Sequence, residues 1–387
     1  MLYPVTIRSG LRNAIAAAVL IPASILLSGC GGDDDKDDRV TGQVTPTGVS
    51  GLNYQTRSRN GKTGDEGQFR YYPGETLQLS AGNLVLADGV PADRFVTPLD
   101  FYSNIRSQLN AAEINDLGLL SHRPVEQRLL ESNETINVAR LLLALNWSGS
   151  VTDGAKVDIR QRVVDQLNAA LPDIDGTIDF SVSPADFARA DLQNADTSPD
   201  PYSPANDLLL EICFFPEGDE LCDEPPTLVE IENAPDRPGI EEEVDPDIDY
   251  KEDLRDLRDR ILDGRRLLTN VTLDEVREWL TRELDLATAD IANDFYLSAE
   301  IADIPASDTS LQTVRLRKVG ASSVQPQALE AISSRPENVT IQSTTAIPPE
   351  VDYFISGPAG GESEILVNFQ PENDYRWITK NLRVVIR

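Results

Sequence analysis

Three cysteines and one histidine carry most of the side-chain chemistry open to this 387-residue chain. Cys213 and Cys222 stand in a C-x8-C spacing around Phe214-Phe215-Pro216-Glu217-Gly218-Asp219. An even pair at short range reads as a disulfide closing a turn, and the spacing matches no common zinc or thioredoxin pattern. His122 precedes Arg123-Pro124, a loop-type setting, and is expected at the surface without a partner. A Ser-His-Asp triad, a Cys-His pair or a multi-histidine metal site would each have to use it. No Gly-rich phosphate loop or nucleophile elbow is present in the sequence. Carboxylates remain, 65 of them against 34 basic residues. Paired acids in a cleft, as in glycoside hydrolysis, are therefore the enzymatic route left open, and no spacing singles out two of them. No catalytic, metal or cofactor-binding residue is assigned from the sequence.

The third cysteine has a different setting. Arg8 and Arg12 open the chain with positive charge, Ala14 to Leu27 is apolar around Pro22, and Leu27-Ser28-Gly29-Cys30 follows. These are the parts of an export signal. The last four residues resemble the lipobox of bacterial lipoproteins, which implies cleavage of residues 1–29 and lipidation of Cys30 by several acyl chains, palmitate among them. Several chains anchor effectively permanently where one is marginal. Gly31 stands where an aspartate retains Gram-negative lipoproteins in the inner membrane, so the resemblance implies outer-membrane sorting, with the periplasmic or surface face left open. Residues 30–39, with Asp33-Asp34-Asp35-Lys36-Asp37-Asp38, read as an acidic tether.

Charge excludes one partner class. The formal charge of −31 repels nucleic acid and anionic lipid, so no nucleic-acid partner is expected. The partners expected are the membrane through the lipid, and an envelope protein or a cell-surface ligand.

Patterning predicts a multi-domain, mixed β and α chain. Residues 40–102 read as a small β-sandwich-like module, with turn signals at Asn60-Gly61, Gly64-Asp65-Glu66-Gly67 and Pro73-Gly74 and short alternations at Phe69/Tyr71, Leu77/Leu79 and Leu84/Leu86. Ser50-Gly51-Leu52-Asn53-Tyr54, Gly61-Lys62-Thr63 and Gly67-Gln68-Phe69-Arg70-Tyr71 resemble a module near the N-terminus of bacterial surface lipoproteins and adhesin-like proteins. It is similar to the regulatory-like β domains beside carboxypeptidases, which implies a binding or spacer unit in an immunoglobulin-like or transthyretin-like fold. Residues 103–194 read as mainly helical, with Ile136, Ala139, Leu142 and Leu143 on one face. Thr135 to Leu142 resembles the helix that follows the module in those lipoproteins. An aspartate-rich turn fit for calcium comes next in them. Here Leu145-Asn146-Trp147-Ser148-Gly149-Ser150 stands in its place, so no calcium site is carried over. Asp173-Ile174-Asp175-Gly176 is read as a turn, its glycine coming too early for an EF-hand loop.

Residues 195–249, rich in proline and acid, read as a linker holding the Cys213–Cys222 hairpin, about which the two halves are expected to move independently. A helical pair at 250–290 follows, its second member started by the capping box Thr272-Leu273-Asp274-Glu275. Residues 291–387 return to alternation, with Val314/Leu316, Ile365/Val367/Phe369 and Leu382/Val384/Ile386, and predict a C-terminal β-sandwich. The organisation as a whole predicts a lipid-anchored envelope lipoprotein with a structural or binding role, such as an accessory subunit of a transport or surface complex. The alternatives are a carbohydrate-active or other carboxylate-dependent enzyme, and a calcium-dependent adhesin-like protein.

Overall fold

Alternating residues form strands here wherever a core takes their apolar side. The computed structural model describes residues 39–149, 154–191, 202–239 and 245–387. Cys30, the signal and the acidic tether lie outside the described residues. Eight strands come first: β1 (Val40–Val44), β2 (Val49–Ser50), β3 (Asn53–Gln55), β4 (Asn60–Lys62), β5 (Gln68–Tyr71), β6 (Thr76–Ala81), β7 (Leu84–Pro91) and β8 (Phe95–Val96). All but β2 build the sheets β5-β1-β8 and β4-β3-β6-β7. Phe69, Tyr71, Leu77, Leu79 and Leu86 are buried in one core. Asn60-Gly61 is not the expected turn. The Thr56 N–H donates to the Arg59 carbonyl at 2.7 Å and closes the turn around Arg57-Ser58. Asn60 then pairs with Gln55 inside the ladder.

The helical segment follows as α1 (Ser103–Arg106), the hairpin β9 (Glu113–Ile114) and β10 (Leu120–Ser121), α2 (Arg123–Leu129), α3 (Asn133–Ala144), β11 (Val157–Asp158), α4 (Gln161–Ala170) and α5 (Pro184–Phe187). β11 pairs in parallel with β2, which ties this segment to the β module. Every residue of α3 from Thr135 to Ala144 is buried. A helix apolar on nearly all sides must be surrounded.

What surrounds α3 includes the expected linker. There α6 (Pro204–Leu210) and α7 (Leu228–Asn233) form. Leu208, Leu209, Ile212 and Phe214 join the same core as α3. Composition misled because proline and acid are compatible with this fold. Ser203 caps α6, accepting the Asn206 N–H, and Pro204 occupies the first turn, where its missing N–H costs nothing. Leu208, Leu209, Ile212 and Phe214 anchor the stretch from α6 to Phe214 in the core. Cys213 and Cys222 form a disulfide, with Cα atoms 5.4 Å apart.

The helical pair is α8 (Lys251–Gly264) and α9 (Leu273–Asn293), the latter begun by the predicted Thr272–Glu275 capping box. Two arginines clasp this pair to α3. From α3, the Arg140 Nε donates to the carbonyls of Leu268 and Val271 at 2.9 and 2.8 Å. In return Arg266 donates to the carbonyls of Ala144, Asn146 and Trp147 at the C-terminal end of α3, where a cation suits the helix dipole. Arg266 also stacks on Phe214, its guanidinium carbon 3.6 Å from the ring centroid, and burial lowers its pKa to about 10. Glu283 of α9, fully buried, accepts the Thr47 N–H and hydroxyl at 2.8 and 2.7 Å.

The chain closes with β12 (Phe295–Leu297), β13 (Ile301–Ile304), β14 (Gln312–Lys318), β15 (Ala328–Ser333), β16 (Val339–Thr345), β17 (Glu350–Ile355), β18 (Glu362–Gln370) and β19 (Ile378–Ile386). Two four-stranded sheets, β12-β14-β17-β16 and β13-β19-β18-β15, share a second core around Phe295, Phe369, Val314 and Leu382. The expected independent movement of two halves gives way to a different arrangement. Residues Arg39 to Arg387 form one compact unit. Leu120 of β10 donates to Glu330 at 2.6 Å and accepts from Asn368 at 2.9 Å, which seats the hairpin on the C-terminal sandwich.

Candidate functional site

His122 directly follows β10 and stands at the N-cap of α2, two residues before Pro124 in its first turn. The structure buries it, leaving 2% exposed, where the sequence predicts a surface loop. Its partners lie far along the chain, on the segment leading into β19. The Trp377 N–H donates to Nδ1 at 2.9 Å. The His122 ring also meets Tyr375 edge-on, with centroids 6.0 Å apart. With Nδ1 accepting, the neutral ring carries its proton on Nε2. Nε2 stands 3.6 Å from Glu126, beyond hydrogen-bond reach, and has no other partner among the described residues. Burial, reinforced by the positive charges of Arg123 and Arg376, lowers the His122 pKa to about 3.

Glu126 sits one turn further along α2 and is equally buried. Tyr375 donates its hydroxyl to Glu126 at 2.8 Å. Burial raises the Glu126 carboxyl above the usual range, and Arg376 and Arg123 oppose it. Tyr375 in turn carries the Arg376 guanidinium on its ring face at 4.4 Å. Arg376 is 4% exposed and reaches Asp374 at 3.3 Å, while its Nε and Nη2 have no hydrogen-bond partner among the described residues. Burial works against its charge. Tyr375, Asp374, Asp100 and Glu126 outweigh burial and hold its pKa above the ordinary guanidinium range.

Above this row lies a cavity of about 330 Å³, lined by Asp93, Asp100, Arg106, Asn110, Asp374 and Arg376 among others. Residues from both sandwiches meet in it. Asp93 comes from the turn before β8, and Asp100 from the turn after it, where the carboxylate accepts the Thr97 N–H and hydroxyl, each at 2.8 Å. Asp374 and Arg376 come from the connection between β18 and β19, which turns at Asn373 with φ 61°. Asparagine tolerates that left-handed conformation better than most residues. Burial raises the carboxyls of both Asp93 and Asp100.

The chemistry of this lining is polar and of mixed charge. An anion entering it meets three carboxyl groups and the guanidinium groups of Arg106 and Arg376. A neutral, hydroxyl-rich molecule finds acceptors in those groups and donors in Arg106 and Asn110. Of the residues marked in the sequence, Cys213 and Cys222 are joined to each other and do not line the cavity. His122 lies in the row beneath the cavity. Glu126, Tyr375 and Arg376 escaped the sequence reading. The one local signal was Asp374-Tyr375-Arg376-Trp377, four large polar or aromatic residues breaking the alternation before β19. Among the described residues no group of three or more His, Cys, Asp or Glu is arranged to hold a metal ion, and no helix is long and apolar enough to cross a membrane.

Comparison of the chain with protein-family models, with curated proteins and with solved structures finds no match in any of the three.

Proposed function

We propose that this protein is a lipid-anchored lipoprotein of the cell envelope, sorted to the outer membrane, with a binding or structural role rather than a catalytic one. The observation that carries the reading is Leu27-Ser28-Gly29-Cys30 after a positively charged start and an apolar run. The two sandwiches and the neutral-ligand chemistry of the cavity between them support a binding role, with an envelope protein or a cell-surface ligand as partner. Metabolic labelling with a palmitate analogue in a Gram-negative host tests the anchor. The parent chain is expected to take up label and fractionate with outer membranes. Cys30→Ser should carry no label and move at least tenfold toward the soluble fraction. Equal membrane association of the two chains would refute the anchor.

A second reading, a carboxylate-dependent glycan hydrolase, is favoured by one observation: Asp93 and Asp100 share a cavity and burial raises both carboxyls. The two readings separate on incubation with envelope polysaccharide. Retention without new reducing ends is the expected result. Release of reducing ends that Asp93→Asn abolishes would establish the hydrolase instead.

A further inference from the structure

The acids of this chain are unevenly spread. None occurs from Thr309 to Leu329, and none from Asn338 to Pro349. The fold brings these two stretches together around one groove of about 590 Å³ on the C-terminal sandwich. Its floor is the outward side of β14, and its walls are the loop around Ser323 and the segment Ile347-Pro348-Pro349. Leu316 donates its N–H to the Pro349 carbonyl at 3.0 Å, which fixes the second wall against β14.

Three cations line the groove, Arg315, Arg317 and Lys318. Glu350 is spent on Arg315 at 2.6 Å. Arg317 and Lys318 have no carboxylate partner among the described residues, although the chain as a whole holds nearly twice as many acids as bases. Large apolar groups stand exposed beside them: Ile347 at 68%, Val319 at 64% and Tyr296 at 43%. Cations interleaved with an aromatic and aliphatic tips are the composition of a surface that meets lipid headgroups.

We propose that this groove docks on an anionic phospholipid surface, so that the C-terminal sandwich rests on the membrane to which Cys30 is attached. The proposal rests on the lipid-anchor reading. Overall negative charge keeps such a patch from finding a membrane unaided. A lipid anchor supplies the missing signal, because stable attachment takes two weak ones together. Reach favours the membrane over an acidic protein as occupant. Arg39 lies only nine residues after Cys30, at most about 32 Å of chain. From Arg39 the path to the groove is short. Gly42 packs so closely on the turn before β8 that a Cβ there would lie 2.4 Å from the Asp93 carbonyl oxygen. The next residue, Arg94, binds Asp294 at 2.8 Å, and the Asp294 carbonyl accepts the Val319 N–H at 2.8 Å. Val319 directly follows Lys318 at the end of the groove.

The test uses the full lipidated chain in floated vesicles, with an environment-sensitive fluorophore on Ile347→Cys and a control label on exposed Val229→Cys of α7. The native Cys213–Cys222 pair is oxidised and takes no label. In phosphatidylcholine vesicles containing phosphatidylglycerol, a quencher carried on the lipid should dim the Ile347→Cys label several-fold more than the control. Pure phosphatidylcholine should remove most of that difference. Adding Arg317→Gln and Lys318→Gln should weaken docking roughly 25-fold, about fivefold for each cation near an anionic surface. A chain that floats while the label stays unquenched overturns docking alone. A chain that does not float overturns the anchor reading and this proposal with it. A label that responds to polyglutamate but not to vesicles overturns docking in favour of an acidic protein partner.

Discussion

Deleting Val384 to Arg387 should destroy the C-terminal sandwich, not merely fray its end. β19 lies inside its sheet, between β13 and β18. Ala302, Asp303 and Ile304 pair with Val384, Val385 and Ile386, so the deletion strips β13 of nearly its whole ladder. Val384 and Ile386 are at most 1% exposed. Each such side chain contributes about 1.5–3 kcal/mol through burial. The lost ladder and the exposed core beneath bring the cost to roughly 5 kcal/mol or more, comparable with the whole stability of a typical domain. The expected result is loss of the cooperative thermal transition together with rapid proteolysis between Phe295 and Gln370. Arg387→Ala, at a largely exposed side chain, should melt within about 2 °C of the parent. An unchanged melting curve for the deletion would contradict the buried position of β19.

His122 should make the protein sensitive to mild acid. Its pKa is about 3 when folded, against an ordinary value of 6.5. Between these values the unfolded chain binds a proton that the folded chain refuses. Stability from this residue is therefore fully present above pH 6.5 and declines as pH falls, by about 1.4 kcal/mol per unit, until the folded ring also titrates. Glu126 works the other way: its raised carboxyl favours the folded state below the ordinary carboxylate pKa and costs stability above it. A comparison of two chains separates the effects. The substitution His122→Asn keeps an acceptor for the Trp377 N–H and removes the titrating ring. Urea midpoints at pH 7, 6, 5 and 4.5 should show the parent losing about 2–3 kcal/mol relative to the variant by pH 4.5. Parallel profiles would mean that the imidazole is not held neutral.

Legibility in the sequence followed the range of the interaction. The alternations at Phe69/Tyr71, Leu77/Leu79, Val314/Leu316 and Leu382/Val384 are strands in the structure because sheet periodicity is written in neighbouring residues. The Thr272–Glu275 capping box was legible for the same reason. Asn60-Gly61 misled because the chain has a competing turn just before it. His122 was misread because nothing near it records its burial, and its partner Trp377 lies beyond any local pattern. The arginine clasp was equally hidden. Arg140 and Arg266 look like ordinary helix-surface cations until the carbonyls they bind are brought to them. The cavity at the junction of the sandwiches was invisible for a stronger reason: its walls come from three separate stretches of chain, and no one stretch has a recognisable spacing.

The position of β1 has a mechanical side. It is the strand by which the chain enters the folded unit, and it is flanked on both sides, antiparallel to β5 and parallel to β8. Ladder hydrogen bonds run across the strands. A pull along β1 from its N-terminal end therefore loads these bonds in shear, many at once, rather than unzipping them singly. β8 passes part of the load on through Arg94 to Asp290 and Asp294 at the end of α9. Under such a pull β1 is the strand whose failure would release everything else, and this fold gives it a ladder on either side.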